Sequence, residues 1–140
     1  NFLSRIGLEL LVNELKGFEL VPTVCGDMQD LENQLQLSKP NLLIIDFFSI
    51  GISINEVSDL VTKYKKTRFM VITTMLPKAE LLKVTKTGVN SYLLKECERV
   101  EIMDAINATI KGDNFICGKI LSLLSASPEI LANNSFIKTR

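Results

Sequence analysis

Histidine and tryptophan are missing from these 140 residues, and cysteine occurs three times. Without histidine no mixed Cys/His zinc site can form, and Cys25, Cys97 and Cys117 are far apart in sequence with no C-x-x-C pair among them. They read as plain thiols of core or surface, which suits a reducing, cytoplasmic location. Neither sign of charge prevails. Sixteen basic residues balance sixteen acidic ones, so no global field draws the chain toward nucleic acid or an anionic membrane, and a role on DNA needs another domain. No apolar run approaches the roughly 18 uncharged residues of a membrane span, and the start lacks the basic-then-apolar order of a signal peptide. Glycine and proline are also sparse, at 7 and 4, while 46% of the residues are hydrophobic. That is enough apolar material for one packed core.

Helical and strand patterns alternate along the chain, the signature of an α/β layer architecture with a parallel sheet. Strands are expected at FELVPTV (18–24), where Pro22 suggests an edge, at LLIIDF (42–47), at FMVITT (69–74) and at SYLL (91–94). LLIIDF does not alternate and reads as buried on both faces. Apolar residues at helical spacing fall between the strands: Leu3, Ile6, Leu10; Met28, Leu31, Leu35; Val57, Leu60, Val61, Tyr64; and Ile102, Ile106, Ile110. Asp27 and Asn55 are candidate helix caps, Gly88 and Gly112 sit where helices stop, and residues 115–126 suggest one more short helix. The cluster Lys63, Lys65, Lys66 and Arg68 reads as a solvated helix end.

The apolar run NLLIIDFF (41–48) carries a carboxylate at Asp46, although isolated buried charges are costly. In a doubly wound sheet ligands sit at the carboxyl ends of the strands. Asp46, then Thr73 and Thr74, then Lys95 all fall at such ends. One rim therefore gathers a carboxylate, hydroxyls and an ammonium.

With these residues in place, the sequence resembles the CheY-like receiver domains of two-component response regulators. Asp46 matches the phospho-accepting aspartate, Thr73 the hydroxyl residue, Tyr92 the switch aromatic and Lys95 the lysine, and TTMLPKAELLKVTKTGVNSYLLKE (73–96) is similar to the family's fourth helix and fifth strand. FLSRIGLELLV and AINATIKGDNFICGKIL further resemble the LuxR/NarL-type branch, so the likeness runs from Asn1 to about Leu124. It implies a flavodoxin-like, doubly wound parallel sheet in three α/β/α layers with a C-terminal linker helix, divided into a receiver domain at 1–112 and a linker helix and tail at 113–140.

The resemblance also implies a function. A sensor histidine kinase would phosphorylate Asp46, and the state would pass to a DNA-binding helix-turn-helix domain beyond Arg140. Mg2+ would be held by Asp46, by the backbone carbonyl of Phe48 and by an acidic pair placed, with the first strand, ahead of Asn1. Burial of about four large side chains by such a strand is worth on the order of 6–12 kcal/mol, so a preceding segment is expected. Lys95 and the Thr73 hydroxyl would bind phosphoryl oxygens, and Tyr92 would move inward. The protein would be no enzyme beyond weak self-phosphotransfer and autodephosphorylation, a homodimer through its first and last helices, and without membrane contact.

Two rival readings stand beside this one. The loop DFFSIGISINEV (46–57) lacks the family's usual Pro and later Gly and is unusually apolar at Phe47, Phe48 and Ile50. That favours a phosphorylation-independent pseudo-receiver acting as a dimerisation or interaction module. A flavin- or nucleotide-binding domain needs a phosphate-cradling loop rich in Gly, Ser or Thr at a helix start, and none follows any expected strand.

Overall fold

The computed structural model describes residues 27–125. The expected strand at 18–24, the helix of Leu3, Ile6 and Leu10, Cys25, and the tail from residue 126 lie outside the described residues.

Helix α1 (Met28–Ser38) opens where Asp27 accepts a hydrogen bond from the backbone N–H of Asp30 at 2.9 Å, and it buries Leu31 and Leu35. It closes on Lys39 in the left-handed region at φ 45°. Strand β1 (Leu42–Ile45) follows, then a 3-10 turn (Phe47–Ile50) that ends on Gly51 at φ 71°, a conformation glycine adopts without a Cβ penalty. Helix α2 spans Ile54–Lys63. Its cap is Ser53, not Asn55. The Ser53 hydroxyl accepts from the Glu56 N–H at 3.1 Å while the Glu56 carboxylate accepts from the Ser53 N–H at 3.0 Å, so two orphan donors are satisfied at once.

Next come β2 (Arg68–Thr73), α3 (Lys78–Thr85), β3 (Ser91–Leu94), α4 (Arg99–Ile110), β4 (Phe115–Ile116) and α5 (Gly118–Leu124). The four strands form one parallel sheet in the order β1-β2-β3-β4, with Ile45 opposite Val71, Thr73 opposite Leu94, and Tyr92 opposite Ile116. Every residue of β3 is buried, as is β2 from Phe69 onward. Both faces of those strands are therefore covered.

Two expectations need correction. Leu42, Leu43 and Ile44 are half-buried, not enclosed, because among the described residues β1 pairs only with β2. Residues 115 and 116 are strand, not helix. The Phe115 N–H donates to the Asn90 carbonyl and the Ser91 hydroxyl, and the Cys117 N–H donates to the Tyr92 carbonyl, so β3 claims these donors before a helix can. The core also continues past residue 112, since Phe115, Ile116, Cys117, Ile120 and Leu124 are all buried in the cluster that holds Leu93 and Ile106. The expected boundary at 112–113 thus falls inside one packed unit.

Replacing Ser53 with alanine removes the hydroxyl that accepts from the Glu56 N–H, while the backbone N–H at position 53 keeps its bond to the Glu56 carboxylate. The change is expected to cost about 0.5–2 kcal/mol, read as a lower urea midpoint. Asn55→Ala, two residues further on, should leave the midpoint within experimental scatter.

Candidate functional site

Asp46 directly follows the last residue of β1, Thr73 is the last residue of β2, and Lys95 directly follows β3. The ladder holds them level, because the Lys95 N–H donates to the Thr73 carbonyl at 2.8 Å. Neighbouring strands lie about 4.8 Å apart, so β3 is roughly 10 Å from β1 and only a long side chain can bridge them. Lys95 does so. Its ammonium sits 2.5 Å from Asp46 Oδ2, with the two side chains 25% and 22% exposed, an ion pair open to solvent on one side. Asp46 Oδ2 also accepts a hydrogen bond from the Ser49 hydroxyl in the 3-10 turn.

Thr73 faces the other way. Its hydroxyl donates to the Thr74 carbonyl at 2.7 Å and lies 2.7 Å from the Tyr92 hydroxyl. With its one proton committed, Thr73 accepts from Tyr92. Both side chains are fully buried. Burial pushes the Tyr92 phenol up to about 12, opposed in smaller part by its hydrogen bond to Thr73. Tyr92 is already inside the core, in contact with the residue that was expected to signal to it, while Thr74 is exposed.

The apolar loop divides on folding. Phe47 and Ile52 are core residues, whereas Phe48 is 47% exposed with its ring 4.3 Å from that of Phe47. The Phe48 carbonyl accepts the Gly51 N–H at 3.2 Å inside the turn. Magnesium demands near-octahedral oxygen coordination. Among the described residues the rim offers one carboxylate, paired to an ammonium, and one carbonyl, already hydrogen-bonded. These donors alone do not fit the ion.

Lys63 is drawn to Glu32 at 3.0 Å, and the Arg68 guanidinium donates to the Ile110 carbonyl. Lys65, Lys66 and Arg68 line a cavity of about 530 Å³ with Val61, Thr67, Gly88 and Asn90. It lies at the amino ends of the strands, away from Asp46. Ser49 went unnoticed in the sequence, although its D-x-x-S spacing from Asp46 is that of a local turn contact. The meeting of Cys97 with Cys117 was also missed, and nothing in their spacing could have revealed it.

The fold matches solved receiver domains. A LuxR-family response regulator from Aurantimonas superimposes with a TM-score of 0.77 at 19% identity, covering 88% of each chain. The isolated receiver domain of RcsB from Salmonella enterica, solved with a beryllium fluoride phosphomimetic, gives 0.77 at 19% identity over 86% of this chain and 90% of that one. In sequence the chain is 26% identical over 130 residues to the transcriptional regulatory protein LiaR of Bacillus subtilis, covering 89% of this chain and 61% of LiaR. It is 24% identical over 122 residues to the oxygen regulatory protein NreC of Staphylococcus carnosus, covering 86% of this chain and 56% of NreC. No family model matches.

The architecture is thus the CheY-like receiver fold, a parallel sheet with helices packed around it. The relatives are response regulators of the LuxR/NarL type, and the chain spans about three-fifths of the length of the curated relatives it matches.

Folding stabilises the neutral Tyr92 phenol. Its folded pKa of about 12 lies above the unfolded value of 10, so this contribution is fully present below pH 10 and is lost as pH rises through 12. Guanidinium unfolding of the native protein and Tyr92→Phe at pH 8 and pH 11 should show the native protein losing the larger share of its stability. Equal losses would mean that the phenol ionises without unfolding.

Proposed function

We propose that this chain is a phosphorylation-controlled receiver that accepts a phosphoryl group on Asp46 from a sensor histidine kinase and passes its state to an attached DNA-binding domain. The observation that carries this reading is the meeting of Asp46 and Lys95 at the carboxyl ends of β1 and β3, with Thr73 at the end of the strand between them and hydrogen-bonded to the buried Tyr92. A carboxylate oxygen of Asp46 attacks phosphorus and the donor's leaving group departs with its bonding electrons, leaving an acyl phosphate. Lys95, already beside Asp46, transfers its ammonium to a phosphoryl oxygen.

The signal leaves through Thr73. To donate to the phosphoryl group its hydroxyl must give up the Thr74 carbonyl, and Tyr92, hydrogen-bonded to that same hydroxyl, must readjust. Two charge-assisted hydrogen bonds at about 1.5–3 kcal/mol each approach the roughly 5.5 kcal/mol that inverts a 1:99 equilibrium. Its own chemistry in this reading is limited to weak self-phosphotransfer and autodephosphorylation, so it is no enzyme in the turnover sense. Mg2+ recruitment belongs to this reading only with carboxylates beyond the described residues.

Response regulators of this kind work with sensor kinases, often dimerise and bind DNA through a C-terminal domain, which supports a dimer here. Among the described residues no helix is long and apolar enough to cross a membrane. The exposed Phe48 favours the second reading, a module that binds partners without phosphorylation, although the buried Phe47 does not count toward it.

Intact mass of the full-length protein after incubation with acetyl phosphate and Mg2+ separates the two. The expected result is one added phosphoryl group that Asp46→Asn abolishes. A folded protein that gains none would leave the phosphorylation-independent module.

A further inference from the structure

The turn after β3, the first turn of α4 and the residue after β4 bring together three side chains that the Asp46 rim does not use. Cys97, Glu101 and Cys117 place their two sulfurs and one carboxylate oxygen within 4.8 Å of one another. Each is anchored. The Cys97 N–H donates to the Leu94 carbonyl at 3.0 Å, the Cys117 N–H to the Tyr92 carbonyl at 3.1 Å, and Glu101 Oε2 accepts the Gly118 N–H at 2.9 Å. Cys117 is fully buried while Cys97 and Glu101 are half-buried, so the cluster has a closed floor and an open side.

We propose that Cys97, Glu101 and Cys117 form a binding site for a thiophilic divalent cation of the zinc class, separate from the Asp46 rim. Sulfur ligands about 2.3 Å and oxygen ligands about 2.0–2.2 Å from a tetrahedral ion stand roughly 3.5–3.8 Å apart, so small inward movements of three anchored groups complete the set. Two thiolates select a soft or borderline ion over magnesium or calcium. The carboxylate decides between a metal and a redox pair. Beside two sulfurs it opposes the build-up of thiolate charge that disulfide exchange requires, whereas a divalent cation turns that mutual repulsion into coordination. The hydrogen bond from Gly118 orients the carboxylate as an outer partner orients a metal ligand. Lys119, two residues beyond Cys117, is ion-paired with Glu96 at 2.8 Å, and the half-buried Cys97 leaves the fourth position open to water.

Occupation would tie the turn that carries Lys95 to the start of α5. It depends on none of the chemistry proposed for Asp46.

The test is titration of the reduced full-length protein with Cd2+, read by thiolate-to-cadmium absorption in the ultraviolet and by native mass. One ion per chain is expected, with the absorption lost in Cys97→Ser and retained in Cys25→Ser. Glu101→Gln, whose folding is checked by circular dichroism, should weaken binding by about tenfold or more. No absorption from the reduced protein would overturn the proposal, as would Cd2+ affinity unchanged in Glu101→Gln. Loss of binding in Cys25→Ser would place the ion elsewhere and overturn it equally.

Discussion

The ion pair between Asp46 and Lys95 is the contact on which the arrangement of the rim depends. A carboxylate at the end of an apolar strand is tolerable when an opposite charge and a hydrogen-bond donor meet it, and here those come from different places. Ser49 is local, three residues on in the same turn, whereas Lys95 arrives from two strands away. That distance can be crossed only if β1, β2 and β3 are parallel and level, as the β1–β2 pairing and the hydrogen bond from Lys95 to the Thr73 carbonyl make them. Sheet register and site geometry are in this sense one constraint.

Beneath the rim, Tyr92 joins the site to the far edge of the sheet. Its hydroxyl meets Thr73, and its backbone carbonyl receives the Cys117 N–H as β4 ends. Thr73 is thus linked through the buried Tyr92 to the start of α5. Polar atoms around this link are satisfied. Ser91 and Thr109 share a 2.6 Å contact, Thr109 donates to the Ala105 carbonyl, and no buried side-chain N or O atom among the described residues lacks a partner. Leaving any member of such a network unpaired is costly, so it rigidifies the core around Tyr92.

Much of this organisation was legible along the chain where the signal is local. The strand SYLL, the helix faces of Leu31 with Leu35 and of Val57 with Leu60, and the Asp27 cap all follow from side-chain period or from contacts within one turn. Errors arose where two local options compete. Ser53 and Asn55 both suit a cap, and the Glu three residues after Ser53 decides in its favour through a reciprocal bond. FICGKIL is apolar enough for a helix, yet β3 offers its first residues ladder partners that no local rule weighs.

The sequence by itself determined which residues could become strand ends and what polar group each would carry, because alternation of apolar runs with short polar punctuation is a property of neighbours along the chain. Only the tertiary structure decided which of those groups meet. Asp46 finds Lys95 across 49 positions, Tyr92 finds Thr73, and Cys97 finds Cys117 and Glu101, through strand order and register that bring distant segments within a few ångströms. Whether an apolar side chain in the loop after Asp46 becomes core, as Phe47 does, or surface, as Phe48 does, was likewise settled by the 3-10 turn that points one ring inward and the next outward.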